Sequence, residues 1–473
     1  MRSGRGVKVA RTAVAAGAVP GWPVAGGGGL QRSKLAANTR PHMIANRRVC
    51  ISIAQCLEDR LAYGIARVIC LEVIMLDIRR KTGAFTPPLT SRERFVRTMH
   101  YQQVDYISHL EFGYWDELKE DWMQQGHLPQ SMRQADGSIP DHLVEQYFGC
   151  EQLAGVGARI GAQPLRANVI ITETADRRIF RDGLGVLSEV QTAGTHTIPH
   201  FLEFPIRDRA TWQAFRDEFL DPAHPSRVLG ETELQHMEDL ARTSEQPVQV
   251  WIGSFIGFIR DWCGFEQLAL LSMDDPDLVE EMVEHLVNMS VTLTEQVLER
   301  CPADLGAGWE DICFNSGPIL SPRFFAERIT PHVARVTRML RQHGVDVIYT
   351  DCDGNILTLI PQWLSIGQNA VFPLEVNPGN DPVALKREYG RDLLIRGGFN
   401  KFALHEGREG VLKELKRIEP AVLEGGFIPG VDHRCPGEVP WDTYCYYIWT
   451  KCHMLGWPEA VIREFPAFRD WRP

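Results

Sequence analysis

Several apolar runs in this chain end on a carboxylate or a base. Leu305–Trp309 is followed by Glu310 and Asp311, Val345–Tyr349 by Asp351, Cys352, Asp353, Gly354 and Asn355, and Val371–Leu374 by Glu375 and Asn377. Leu393–Ile395 leads to Arg396, Asn400 and Lys401, and Gly426–Pro429 leads to Asp432, His433 and Arg434. Upstream, Val248–Gly253 precedes Ser254, Arg260 and Asp261. Carboxylates clustered with an imidazole bind a divalent cation, or shift one another's proton affinity for acid–base work. Guanidinium groups suit a carboxylate-bearing substrate, because the two pair in a fork. The pattern therefore assigns catalysis to Asp351, Asp353 and His433, and substrate binding to Arg260, Glu375, Arg396, Lys401 and Arg434. If a metal is held, the ligands are drawn from Glu310, Asp351, Asp353, Glu375 and His433. Each has a plainer role to set beside this: one of Asp351 and Asp353 as a helix cap, Glu375 as the partner of Arg396 or Lys401, His433 as a structural side chain.

These groups need elements to hold them. From residue 205 onward, apolar strand, loop and long helix alternate. Asp275-Pro276, Ser321-Pro322 and Asp381-Pro382 each open a helix as cap and first position, and Gly344 and Gly390 stop two of them. Strands alternating with helices give parallel strands with right-handed crossovers. With a strand near 107–113 and another within 184–205, the count approaches eight. The expected fold is α/β, a (β/α)8 TIM barrel, whose chemistry lies at the C-terminal ends of the strands. Residues 116–160 read as helical and polar. Residues 168–204 alternate in short pieces around Asp182-Gly183 and read as an antiparallel insertion. No GxGxxG follows a strand and no GxxxxGK[ST] occurs, so nucleotide-binding folds lose their usual signature.

The chain has 473 residues and a formal net charge of −11, which argues against nucleic acid as a partner. Residues 1–80 hold 13 Lys+Arg against 4 Asp+Glu, whereas the remainder is acidic. Residues 12–31 are uncharged, Gly-rich and interrupted by Pro20 and Pro23, a poor apolar helix for export. Residues 1–84 read as a disordered leader or the product of a start codon placed too early, with Met75 a candidate start. The body, 85–473, opens on the capping box Thr90-Ser91-Arg92-Glu93. The 11 cysteines form no CxxC pair and read as reduced thiols of a cytoplasmic protein with no membrane segment.

RERFVRTMHYQQVDYISHLEFGYW, GFIRDWCGFEQLALLSMDDPDLVEEM, WEDICFNSGPILSPRFF, DCDGNILTLIP, VFPLEV, GGFNKFAL and GGFIPGVDHRCP together resemble the uroporphyrinogen decarboxylase superfamily over about residues 90–457. The resemblance implies a (β/α)8 barrel and two branches of chemistry: porphyrinogen decarboxylases, which need no cofactor, and corrinoid-linked methyltransferases, which use zinc to activate a thiol. The decarboxylases carry RQAGRY after the first strand, where this chain reads EFGYWDEL. The methyltransferases carry HxCG where this chain reads DCDG, so Asp351 stands at the histidine and Asp353 at the cysteine. Two carboxylates favour a harder ion than zinc-thiolate chemistry does. Cys352 points to the other face of a regular strand, and Cys435 is displaced from the position of the later cysteine ligand.

The first expectation is cofactor-free decarboxylation of a tetrapyrrole-like polycarboxylate in porphyrin-type metabolism. The second is methyl transfer with a divalent metal and a corrinoid, and the third a non-catalytic tetrapyrrole or corrinoid carrier. The partners expected are a small-molecule substrate, a corrinoid protein in the methyltransferase branch, and a second copy of the chain in a homodimer.

Overall fold

A computed structural model describes residues 82–192 and 199–473; the leader expected over residues 1–84 falls almost wholly outside them. Seven strands form one parallel sheet: β1 (Ala154–Gly157), β6 (Val248–Gly253), β7 (Leu305–Trp309), β10 (Val347–Asp351), β11 (Ala370–Phe372), β12 (Leu394–Phe399) and β13 (Phe427–Val431), in that spatial order. The eighth position, between β13 and β1, is taken by residues 107–114, which make only one isolated bridge, Tyr114 to Cys435. Three backbone bonds stitch this segment in: Cys435 N–H to the Gly113 carbonyl (2.9 Å), Trp115 N–H to the Cys435 carbonyl (3.1 Å) and Glu151 N–H to the His109 carbonyl (2.8 Å).

A side chain supplies what the ladder lacks. The Glu111 carboxylate accepts the Val431 N–H at 3.0 Å. It also accepts the Tyr447 hydroxyl at 2.9 Å and pairs with the fully buried Lys451 ammonium, both from the helix Trp441–Met454. The fold is thus a closed (β/α)8 barrel with an irregular first strand. Among the described residues, no helix is long and apolar enough to cross a membrane.

The strand expected within 184–205 is not part of the barrel. That stretch belongs to an antiparallel sheet inserted after β1, built from β2 (Val169–Glu173), β3 (Arg177–Arg181), β4 (Leu187–Gln191) and β5 (His200–Glu203). β4 pairs antiparallel on both sides, which excludes it from the parallel ladder. The missing barrel strand is β1, inside the stretch expected to be helical. Its sequence, AGVG, has one β-branched residue, so its pairing comes from the sheet around it and not from local preference.

The expected caps are present. Thr90 and Glu93 form a reciprocal capping box, and Asp275, Ser321 and Asp381 accept N–H groups of Leu278, Phe324 and Val383. The helix expected to run from Ser321 to Gly344 is broken by a π turn, Phe325–Ile329, just before Pro331. A proline has no N–H to donate, so the regular ladder cannot pass through it.

Leu305, Val347, Ala370, Leu394 and Ile428 point inward and pack with Phe95, Met99 and Leu110, so the helix Ser91–Met99 plugs the barrel floor. Ile348, Val371 and Ile395 point outward into the barrel–helix layer. Alternation then fixes what stands above the floor: Tyr349, Phe372 and Arg396 inward in the middle layer, and Asp351 inward at the mouth.

Candidate functional site

Three carboxylates meet at the mouth. Asp351 ends β10, Asp353 follows it by one outward-facing residue, and Asp311 comes from beyond β7. One oxygen from each lies within 4.8 Å of the others. Asp311 gets there through a left-handed backbone (φ 45°), which aspartate tolerates better than most residues. Its carboxylate accepts the Asp353 N–H at 2.9 Å and a side-chain bond from Trp309. His433 Nε2 lies 3.1 Å from Asp353 Oδ2, while Asp353 Oδ1 is buried without a partner.

Burial and crowding make Asp311 and Asp351 weak acids. Burial first, then the Asp353 charge, holds Asp311 up to about 7, against the pull of Arg260. Burial and the charges of Asp311 and Asp353 push Asp351 well above the carboxylate range, with Arg396 opposing. Among the described residues, no lysine or arginine forms an ion pair with any of the three. The arrangement can take up protons near neutral pH, or a divalent cation in their place.

Aromatic rings wall the cluster. Phe112 and Trp115 face the His433 ring at 5.6 and 6.1 Å, and Phe112 meets Phe372 edge-on at 4.6 Å. The Tyr349 hydroxyl donates to Gln249 across the interior at 3.0 Å. Arg396 lies 4.3 Å from the Phe372 ring centre and donates to the Glu111 carbonyl; its Nε is buried without a partner.

Of the residues singled out from the sequence, Asp351, Asp353 and His433 are brought together, with Arg396 below them. The others are engaged elsewhere. Glu310 accepts the N–H groups of Phe255, Ile256 and Gly257 and the Ser254 hydroxyl, at the start of the helix Gly257–Cys263. Glu375 accepts the Gly354 N–H (2.9 Å) and pairs with Lys401 (2.7 Å). Arg260 bonds the Asp311 carbonyl and Asp261, and packs over Trp309. Arg434 bonds Asp141 and the Tyr114 carbonyl.

Asp311 is the member that the sequence reading passed over for its neighbour Glu310. Two adjacent carboxylates after a strand were visible; which one turns inward depends on the left-handed φ. Asp432 was also passed over. It accepts the Val376 and Lys401 N–H groups, and burial, more than any nearby charge, lifts its carboxyl to about 6.

No known protein family matches the chain, and no curated protein does. Solved structures do. A methyltransferase from Methanosarcina mazei aligns over 77% of this chain and 98% of its own, at 12% identity and a TM-score of 0.52, a likeness of fold. A B12-independent methionine synthase from Shewanella sp. W3-18-1, solved with selenomethionine, aligns over 81% of this chain and 100% of its own, at 11% identity and a TM-score of 0.39.

Proposed function

We propose that this chain is an enzyme of the uroporphyrinogen decarboxylase superfamily that transfers a methyl group. A divalent cation would be held by Asp311, Asp351 and Asp353, with His433 bracing Asp353. The observation that carries the reading is the meeting of three carboxylates within 4.8 Å, together with the unpartnered Asp353 oxygen. A set of three carboxylates suits a hard, Mn²⁺-like ion better than it suits zinc, which favours thiolate and imidazole. No cysteine belongs to the cluster among the described residues.

A cation there would supply Lewis acidity, lowering the pKa of a methyl acceptor's thiol or hydroxyl. In this reading His433, which is bonded to Asp353, takes the acceptor's proton. Phe112 and Trp115 offer apolar faces to a methyl group and keep water from it. A methylated corrinoid is the donor of this reading and enters as a substrate. The fold shared with a solved methyltransferase supports the same branch.

The decarboxylase reading keeps one specific support, the unpartnered Arg396 Nε beside Asp351. Its other expected carboxylate grips, Arg260, Lys401 and Arg434, are already bonded within the chain.

The test is metal analysis of the purified chain and Mn²⁺ titration, followed by two assays: loss of methyl from methylcobalamin to an acceptor thiol, and carbon dioxide release from uroporphyrinogen. Stoichiometric cation binding with methyl loss is expected. A metal-free protein that releases carbon dioxide overturns the proposal.

A further inference from the structure

Two thiols lie beside the acidic cluster and take no part in it. Cys352 sits between Asp351 and Asp353, but its side chain points outward and is buried in the barrel–helix layer. Cys313 lies two residues beyond Asp311 in the short strand β8 (Cys313–Phe314), which turns back on β9 (Gly317–Pro318), and it is partly exposed. The Cys352 thiol donates to the Asp353 carbonyl at 3.5 Å, and the Cys313 side chain is its neighbour. Backbone contacts hold them in place. Asn355 N–H donates to the Phe314 carbonyl at 2.9 Å, and a Cβ added to Gly354 would lie 2.5 Å from the Cys313 carbonyl oxygen. β8 is therefore pressed directly against the turn that carries Cys352.

We propose that Cys313 and Cys352 form a reversible disulfide when the protein meets a hydroperoxide, making the rim of the barrel mouth a redox-modified site. Cys313 is the thiol that solvent reaches. Its sulfur attacks hydrogen peroxide; an S–O bond forms, the O–O bond breaks, and water leaves. The Cys352 sulfur then attacks that sulfur; the S–S bond forms, the S–O bond breaks, and a second water leaves with the Cys352 proton. Two thiols and one peroxide become one disulfide and two waters, and the two electrons go to the peroxide. A dithiol reductant reverses the reaction by exchange.

The consequence reaches the cluster through the chain. A disulfide holds its sulfurs about 2 Å apart, closer than two neighbouring thiols. Closing it draws β8 toward the 352–354 turn, displacing Asp311 on one side and Asp351 and Asp353 on the other.

The experiment uses the full chain, treated with hydrogen peroxide or with dithiothreitol, alkylated, digested and mapped by mass spectrometry. The expected result is a peptide pair joined through Cys313 and Cys352, with the loss of two hydrogens, absent after reduction and absent in Cys313→Ser. Mn²⁺ affinity is expected to differ between the oxidised and reduced forms. If Cys313 is driven to sulfinic acid while Cys352 stays a thiol, or if Cys313 joins a different cysteine, the proposal is overturned. If the link forms and Mn²⁺ affinity is unchanged, the coupling to the cluster is refuted. The link is read by mass alone, so its failure is separate from a failure of the cation reading.

Discussion

Asp311→Asn tests the acidic cluster without knowledge of the substrate. In the folded chain this carboxyl is held up to about 7, whereas its ordinary value is 3.8. Folding therefore favours the protonated form. The carboxyl does not destabilise the fold below about pH 4, where it is neutral in both states; its cost grows as pH rises and levels off above about pH 7. A displacement of about three pH units corresponds to about 4 kcal/mol. Screening by water at the open mouth leaves about 2–4 kcal/mol. Asparagine keeps an acceptor for the Asp353 N–H and tolerates the left-handed backbone at this position.

The variant is therefore expected to be more stable than the wild type by about 2–4 kcal/mol at about pH 8 in a chelating buffer, with the difference fading toward about pH 4. Urea unfolding followed by tryptophan fluorescence reads both. With Mn²⁺ at a hundredfold excess over its Kd, the wild type should gain about 2.7 kcal/mol, and the variant should gain less. A variant no more stable than the wild type in chelator at the higher pH would refute the burial and mutual repulsion that raise this carboxyl.

Asp353→Asn should weaken Mn²⁺ binding by at least about 10–100-fold and lower turnover by about 10²–10⁴-fold, whereas Glu375→Gln, outside the cluster, should leave calorimetric Mn²⁺ affinity unchanged. Because Asp311 must lose its proton to bind a cation, wild-type Mn²⁺ affinity should rise between about pH 6 and about pH 8 in the same titrations. Lys451→Met leaves the buried Glu111 carboxylate without its cation and should cost about 3–5 kcal/mol in urea unfolding; adding Glu111→Gln should recover part of the loss. Gly397→Ala places a methyl 1.8 Å from the Pro373 carbonyl oxygen on a backbone of φ +98°, and should cost on the order of 3 kcal/mol or more, seen as lost soluble yield.

Local chemistry explains what could be read in advance. Caps such as Asp275 and Asp381 act on N–H groups two or three residues away, so their signal sits in adjacent letters. Asp351 and Asp353 follow a strand whose alternation fixes which side chains face inward, and they were legible for that reason. The failures are of a different kind. AGVG becomes a strand only because β6 pairs with it in register from Ala154, a fact about neighbours almost a hundred residues away. Asp311 and Glu310 are chemically equivalent in sequence; a single φ sends one to the cluster and the other to the start of a helix. That Arg260 and Arg434 are already partnered likewise follows from long-range contacts, with the Asp311 carbonyl and Asp141, which periodicity does not encode.

The irregular first strand turns the barrel into a ring with a clasp. Around most of its circumference neighbouring strands are joined by repeated main-chain bonds, as along the five paired positions of β7 and β10. At the clasp, the Glu111 carboxylate and a few isolated bonds hold the ends. Opening there returns an ion pair to water, which lowers its cost, so deuterium should enter the amides of Trp115, Val431 and Cys435 well before those of β7 and β10. The same short segment carries Glu111 in the clasp and Phe112 on the wall of the mouth. Whatever molecule settles against Phe112 therefore also tightens the ring, and its arrival can be followed as slowed exchange at the clasp before any product is identified.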